Sequence, residues 1–291
     1  MKRFNTRFFY GIFVACSATL FTACDDVKEG DRYIDMGEIT ADRTVLLEDF
    51  TGQNCLNCPD AHEVIDQLVE QYGDKLIPVS IHCGDFGVPV RITNFERGRI
   101  GLMTDEGNTI LTSYPINSFP MGVVDMGSPI TFDLWATAVR NELSKPTDIT
   151  IQLKAEFVPD AEQPEEGYAG NIQVTADVIS SDDKNAQIQF WVLEDGIIAQ
   201  QRWHGETVQE YTHNNVFRAQ IFSGVRGENI SLEKGIDKSV TGEIATRWTD
   251  KERWEVKNIS VVAYVSDGTG VLQAARTYLF PKAEEGKEVK R

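Results

Sequence analysis

The strongest constraint on the fold is a pair of cysteines, Cys55 and Cys58, which follows an apolar segment and precedes a helical pattern. Residues 44–50 have the composition of a buried strand, whereas residues 58–72 carry apolar side chains at helical spacing. Pro59 suits the first turn of that helix. The free N–H groups at a helix start stabilise a thiolate on Cys55, and Cys58 is placed one turn on to close a disulfide.

The rest of the first half alternates between strand-like and helix-like segments. Residues 76–82 and 121–125 are predicted strands, and residues 101–113 and 132–143 are predicted helices. This order predicts a central sheet with parallel strand pairs that are covered by helices.

The second half is dominated by segments in which apolar and polar residues alternate, a pattern typical of an antiparallel β-sandwich. The predicted strands are residues 149–157, 170–179, 186–193, 239–247, 259–265 and 271–280. A long connection over residues 203–228 interrupts them. The boundary between the halves is predicted at residues 144–148, where Lys145-Pro146 ends a helical pattern.

The N-terminus has the features of an export signal. Lys2, Arg3 and Arg7 precede an uncharged, mostly apolar run at residues 8–21, which is too short to span a bilayer as a helix. Small residues then lead to Cys24 in an order that resembles a lipobox. The resemblance implies cleavage before Cys24 and a diacylglycerol on its sulfur; the alternative is an ordinary secretory signal with a chance cysteine.

The charge of the chain limits its partners. The formal net charge is −17, so nucleic acid phosphates would repel the protein, and we take the acidic surface as a source of solubility. Asp25 and Asp26 resemble a surface-export signal of some Gram-negative lipoproteins. We therefore expect lipid anchoring in the cell outer membrane, and leave open the periplasmic face or the cell surface.

Five segments follow from these patterns. They are a signal peptide at residues 1–23, a lipidated tether at 24–43, an α/β domain at 44–146, an all-β domain at 147–282 and a charged tail at 283–291.

The first domain resembles the thioredoxin superfamily over residues 44–143. VLLEDF at residues 45–50 is similar to the central strand of that fold. Asp49 stands six residues before Cys55, where the resemblance implies a buried acid that helps to move protons. If the strand register slips by one, Asp49 is instead a capped loop acid.

A second stretch that carries this resemblance is YPINSFPMGVVD at residues 114–125. It resembles the segment that holds a cis-proline opposite the disulfide, with Pro120 in that role. The resemblance implies that Phe119 offers backbone groups to an extended substrate.

A closer resemblance is to the 28-kDa outer-membrane-protein family of bacterial lipoproteins. It is carried by EDFTGQNCLNCPDAH at residues 48–62, SIH at 80–82 and YTHNNVFR at 211–218. The family implies a thioredoxin-like α/β domain followed by an all-β domain, which we predict to be an immunoglobulin-like β-sandwich. It implies no settled activity, and the role of residues 211–218 stays open between a recognition site and a packed loop.

Two functions remain open. In the first, Cys55 attacks and Cys58 resolves in thiol–disulfide exchange with exported cysteine-containing proteins. In the second, the pair is a structural disulfide in a non-catalytic surface lipoprotein that binds another protein. An exposed Cys55 favours the first, and a buried disulfide with a closed groove favours the second. Asn54, where thioredoxins carry Trp, leaves the redox direction open.

The remaining thiol is Cys83, which ends the second predicted strand. We expect no cofactor and no metal site. The alternative is a zinc site built from Cys55, Cys58, Cys83 and either His82 or His62, although no second C-x-x-C supports it.

Overall fold

A β–α–β unit opens the part of the chain that the computed structural model describes, residues 42–161 and 168–281. β1 (Val45–Thr51) leads through a short loop to α1 (Cys58–Tyr72), and β2 (Leu76–His82) returns parallel to β1. The predicted signal peptide, Cys24, nearly all of the tether and the charged tail lie outside the described residues.

The next elements complete the helical layers around β1. They are α2 (Asp105–Leu111), β3 (Met121–Val124) and α3 (Trp135–Leu143). β3 pairs antiparallel with β1, so β1 has a strand on each side. Apolar residues of α1 and α3 pack on one face of β1.

The helix predicted over residues 101–113 is shorter than expected. α2 begins at Asp105 because the hydroxyl of Thr104 accepts a hydrogen bond from the Gly107 N–H at 3.0 Å. This side chain caps the helix, which fixes where its first turn starts. The prediction of a helix in this segment is confirmed, and its predicted start was wrong.

The second half contains ten strands in the described residues. They are β4 (Ile149–Pro159), β5 (Gly170–Ser180), β6 (Lys184–Glu194), β7 (Ile197–Trp203), β8 (Glu206–His213), β9 (Val216–Gln220), β10 (Glu228–Leu232), β11 (Lys238–Ala245), β12 (Ile259–Ser266) and β13 (Val271–Tyr278). Residues 203–228, predicted as a long connection, hold β8 and β9 instead. That prediction was wrong because β8 is polar and β9 is only five residues long, so neither shows a clear alternation.

One mixed sheet contains strands from both halves of the chain. Its order is β13-β12-β6-β9-β2-β1-β3, and β10 also pairs with β6. β9 joins the halves through a parallel pair between Ser80 and Val216, and the Ser80 N–H donates to the Asn215 carbonyl at 2.8 Å. The described residues all belong to one compact unit. The division into two domains at residue 146 therefore stays a prediction.

A smaller antiparallel sheet, in the order β11-β5-β4, packs on one face of the large sheet. The inward side chains of β5 are Ile172, Val174, Ala176 and Val178, as its alternation predicts. β6 and β12 are buried on both faces, since their alternate residues pack either on the small sheet or on the first half.

β7 and β8 form a separate two-stranded sheet, the hairpin β7–β8 (residues 197–213). Across residues 42–161 and 168–281, no helix is both long and apolar enough to cross a membrane.

Candidate functional site

The cysteine pair forms a disulfide at the start of α1. Cys55 lies in the loop after β1, Cys58 is the first residue of α1, and their Cα atoms are 5.5 Å apart. Their residues are 2% and 0% exposed, whereas Asn54, Leu56 and Asn57 beside them are exposed. The disulfide thus lies directly beneath an exposed loop.

The hairpin β7–β8 is hydrogen-bonded to the backbone of this loop. The side-chain amide of Gln201 donates to the carbonyl oxygens of Cys55 at 3.0 Å and Gly52 at 3.3 Å. The Arg202 N–H donates to the Gln53 carbonyl at 2.8 Å. These bonds occupy backbone groups that an approaching peptide would otherwise find free.

Two further contacts hold the hairpin β7–β8 against the first half. The indole N–H of Trp203 donates to the Asp60 carboxylate in α1 at 2.9 Å. The amide of Gln200 donates to the Ile100 carbonyl at 3.0 Å, and its oxygen accepts from the Ile100 N–H at 3.2 Å. Apolar contacts add to these bonds, since Ile197 and Ala199 of the hairpin pack with Ile100 and Leu102 of the first half.

Phe86 links the C-x-x-C loop to the segment of the predicted cis-proline. Its carbonyl accepts from the Asn54 N–H at 2.9 Å, and its ring lies 5.5 Å from that of Phe119. A Cβ on Gly52 would lie 2.5 Å from the Phe86 carbonyl carbon, so this approach requires glycine. The Phe119–Pro120 peptide bond is cis, and the roles of both residues stay predictions.

Asp49 lies beneath α1 and contacts a histidine from that helix. It is 0% exposed, and its Oδ2 is 3.3 Å from His62 Nε2. This contact is close enough for an ion pair but does not have the geometry of a hydrogen bond. His62 Nε2 also lies 3.1 Å from the Thr51 hydroxyl, and Nδ1 lies 2.9 Å from the Tyr211 hydroxyl. A strand, a helix and the hairpin thus meet at His62.

Three of the four histidines of the chain line one cavity of about 40 Å³ beside α1. They are His62, His82 and His213, and Asp66 and Tyr211 also line it. Burial, followed by the neighbouring histidines, holds the pKa of His82 well below its usual range. Burial lowers the pKa of His213 to about 3, so both are neutral at neutral pH.

Cys83 is buried at the end of β2, and burial raises the pKa of its thiol. Such a thiol is protonated and unreactive at neutral pH. In the part of the chain that the structure describes, no group of three His, Cys, Asp or Glu side chains is arranged to hold a metal ion.

Glu48 is a buried acid that sequence reasoning did not single out. It lies on the opposite face of β1 from Asp49, and Tyr114 donates a hydrogen bond to it at 3.1 Å. Burial raises its pKa to about 8. An acidic residue inside an otherwise apolar strand was the signal in the sequence.

The segment 211–218 splits between two surroundings. Tyr211 and His213 line the histidine cavity, whereas Arg218 is buried and does not line it. Arg218 forms ion pairs with Glu194 at 3.2 Å and Glu252 at 3.0 Å. The segment is a strand, a turn and a second strand, not a single recognition loop.

A mixed α/β sheet with smaller antiparallel sheets and a C-x-x-C disulfide at a helix start defines the class of this protein. The chain belongs to the Omp28 family of outer membrane lipoproteins, since the family described as "Outer membrane protein Omp28" matches residues 108–280, more than half of the chain. The match begins after Cys58 and includes Pro120 and the segment 211–218. The resemblance predicted from the sequence is confirmed.

Among solved structures, HBP35 of Porphyromonas gingivalis is similar with a TM-score of 0.60 and 17% identity, over 85% of this chain and 79% of that chain. A domain of the outer membrane lipoprotein Omp28 from the same organism matches with a TM-score of 0.31 and 19% identity, over 47% of this chain and 99% of that chain. The first likeness concerns the fold alone. No curated protein matches the chain.

Proposed function

We propose that this outer-membrane lipoprotein exchanges disulfides with exported cysteine-containing proteins at Cys55–Cys58. The proposal gives residues 44–146 a thioredoxin-like fold and residues 147–282 an immunoglobulin-like sandwich. The observation that supports it is the disulfide at the start of α1 together with the buried Asp49 beneath that helix.

A structural disulfide alone does not require a buried acid. Asp49 is fully buried, and His62 lies 3.3 Å from it. Burying a carboxyl group costs desolvation free energy, whereas buried titratable groups are frequent where protons are moved. The buried acid therefore favours chemistry at this end of the sheet.

In the proposed reaction, a thiolate of a partner dithiol attacks the sulfur of Cys55. The Cys55–Cys58 bond breaks, and its electron pair leaves with Cys58, which takes up a proton. The second thiolate of the partner attacks its own sulfur in the mixed disulfide, so the partner leaves oxidised and Cys55 leaves as a thiolate. The start of α1 stabilises that thiolate. The reverse sequence reduces a disulfide of the partner and re-forms the Cys55–Cys58 bond.

The other predicted residues take supporting roles in this proposal. Asp49 relays the proton of Cys58, Pro120 shapes the side that faces the partner, and the backbone of Phe119 holds an extended segment of the partner. The lipid on Cys24 keeps the protein at the membrane.

The burial of the pair favours a second candidate, a non-catalytic lipoprotein with a structural disulfide. Cys55 and Cys58 are 2% and 0% exposed, and Gln201 binds the carbonyl of Cys55. A buried disulfide with a closed groove is the arrangement that we expect of a structural pair. Under the first candidate, the hairpin β7–β8 must open before a partner reaches Cys55.

The equilibrium reduction potential of the pair separates the two candidates. We would equilibrate the lipoprotein, purified in detergent, with dithiothreitol or glutathione buffers and follow Cys55 and Cys58 by differential alkylation and mass spectrometry. Cycling between about −120 and −270 mV supports exchange, and a pair that stays oxidised below about −300 mV is a structural staple. Cys83, read in the same spectra, is the internal control.

A further inference from the structure

The proposed exchange needs a proton path to a buried sulfur. Cys58 is 0% exposed, and it becomes a thiolate when the disulfide opens. Cys58 and His62 are four residues apart in α1, so they lie on the same face of the helix. His62 lines the histidine cavity, and neither cysteine of the disulfide does.

His62 lies between the Tyr211 hydroxyl and the Asp49 carboxylate. In the neutral tautomer with hydrogen on Nε2, Nδ1 accepts from the Tyr211 hydroxyl at 2.9 Å, and Nε2–H donates to the Thr51 hydroxyl at 3.1 Å. Asp49 Oδ2 lies 3.3 Å from the same nitrogen, so a small turn of the ring or of the carboxylate brings Nε2–H to Asp49. The Tyr211 hydroxyl also lines the cavity. Tyr211, His62 and Asp49 thus form a row, and a shift of hydrogen along this row moves one proton toward Asp49.

We propose that Tyr211 and His62 form a proton relay between the histidine cavity and Asp49. The inference rests on the proposed disulfide exchange and adds two residues to it. When Cys58 leaves as a thiolate and takes the proton of Asp49, His62 gives Asp49 its Nε2 proton. Nδ1 takes the proton of Tyr211, and water in the cavity returns a proton to the tyrosine. The same row returns the proton when the disulfide forms again.

The charges around His62 fit this direction of transfer. The titratable groups that face it are Asp49 from β1, Asp66 from α1, His82 from β2, and Tyr211 and His213 from β8. His82 and His213 stay neutral at neutral pH, so they do not repel a proton in the cavity.

Tyr211 is suited to pass a proton without becoming an anion. Burial and the nearby acids, Asp66 first among them, raise its pKa. It therefore keeps a proton at all physiological pH values and acts by accepting one proton as it releases another. His62 likewise releases one proton as it takes another, and its side chain is 15% exposed.

The test compares His62→Gln and Tyr211→Phe with His204→Gln in the full lipoprotein. His204 is an exposed histidine at the tip of the same hairpin and serves as the matched control. We would measure the rate of disulfide reduction by dithiothreitol from pH 5 to pH 9 with differential alkylation. Both relay variants should reduce about 10²-fold more slowly at pH 7.5 and lose the wild-type pH profile, since general acid–base groups contribute effects of this size. His204→Gln should match wild type.

Chemical rescue separates a relay from a structural role. His62→Ala should regain rate when imidazole is added, because the removed ring faces a cavity that reaches solvent. If His62→Ala does not fold, the rates of His62→Gln and Tyr211→Phe decide the question.

A wild type that cycles, together with variants that keep its pH profile, would overturn the relay and leave the proposed exchange standing. A wild type that no dithiol reduces would overturn both.

Discussion

The side chain of Gln201 donates a hydrogen bond to the carbonyl oxygen of Cys55, across 146 residues of chain. The same amide reaches the carbonyl of Gly52, so one side chain from the second half satisfies two backbone acceptors of the C-x-x-C loop. The loop that carries the disulfide is therefore hydrogen-bonded by a residue that the first half does not contain.

Replacing Gln201 with Ala should loosen this closure. Two buried carbonyls lose a donor, at a cost of about 1–3 kcal/mol, so the open form becomes more populated. We expect reduction of the disulfide by a small phosphine to be about tenfold faster, since about 1.4 kcal/mol corresponds to tenfold. Gln209→Ala is the control, because its side chain is exposed on the same hairpin. Equal rates in the two variants would contradict the role of Gln201.

Gly52→Ala tests the contact between the C-x-x-C loop and Phe86. The added Cβ would lie 2.5 Å from the carbonyl carbon and oxygen of Phe86, so one segment must shift. We expect the free energy of unfolding in urea to fall by about 1–3 kcal/mol. Gly268→Ala is the comparison, since its Cβ meets nothing within 4 Å. The contact is unimportant if both variants unfold at the same urea concentration.

Glu48 should make stability depend on pH. Burial raises its pKa from the model-compound value of 4.5 to about 8, so the folded state binds more protons than the unfolded state between these values. Its contribution is complete below about pH 4.5 and is lost as the pH rises toward 8. The free energy of unfolding should fall by more than about 1 kcal/mol over this window.

In Glu48→Gln, this component of the pH dependence should disappear. Glu70→Gln, an exposed position in α1, should keep the wild-type profile. The comparison uses urea unfolding at a series of pH values. A Glu48→Gln profile parallel to that of wild type would refute a buried, neutral Glu48.

Arg218→Met should be strongly destabilising. Its removal leaves Glu194 and Glu252 without their buried cation, and a broken buried ion pair costs about 3–5 kcal/mol. Arg226→Met, at an exposed position, should change stability by no more than about 0.5 kcal/mol. Denaturation with guanidinium measures both, and a small loss for Arg218→Met would mean that water replaces the arginine.

Sequence reasoning predicted the elements whose signal is local. Both ends of β2 were predicted correctly. The six strands with clear alternation are present because each has one face in the core between the large sheet and the smaller sheet β11-β5-β4. The start of α1 at Cys58 followed from Pro59 and the apolar spacing of the helix. These features depend on neighbours within a few residues.

The hairpin β7–β8 was missed because its strands are largely polar, and the loops that they contact lie about 100 residues or more away in the chain. A local signal did exist at its tip. His204 and Gly205 join the two strands and both have positive φ angles, 48° and 88°, as the two central residues of a type I′ hairpin turn do. Glycine at the second of these positions was the signal in the sequence. The meeting of Asp49, His62 and Tyr211 had no such signal, since it depends on which strand end the hairpin approaches.

The pairing of β9 with β2 has a consequence for biogenesis. During synthesis and export the first half emerges earlier, and β2 then has an open edge toward the place that β9 later fills. An uncovered strand edge can pair with other chains. That edge of β2 therefore stays open to pairing with another chain until the nascent chain extends to residue 220, the end of β9.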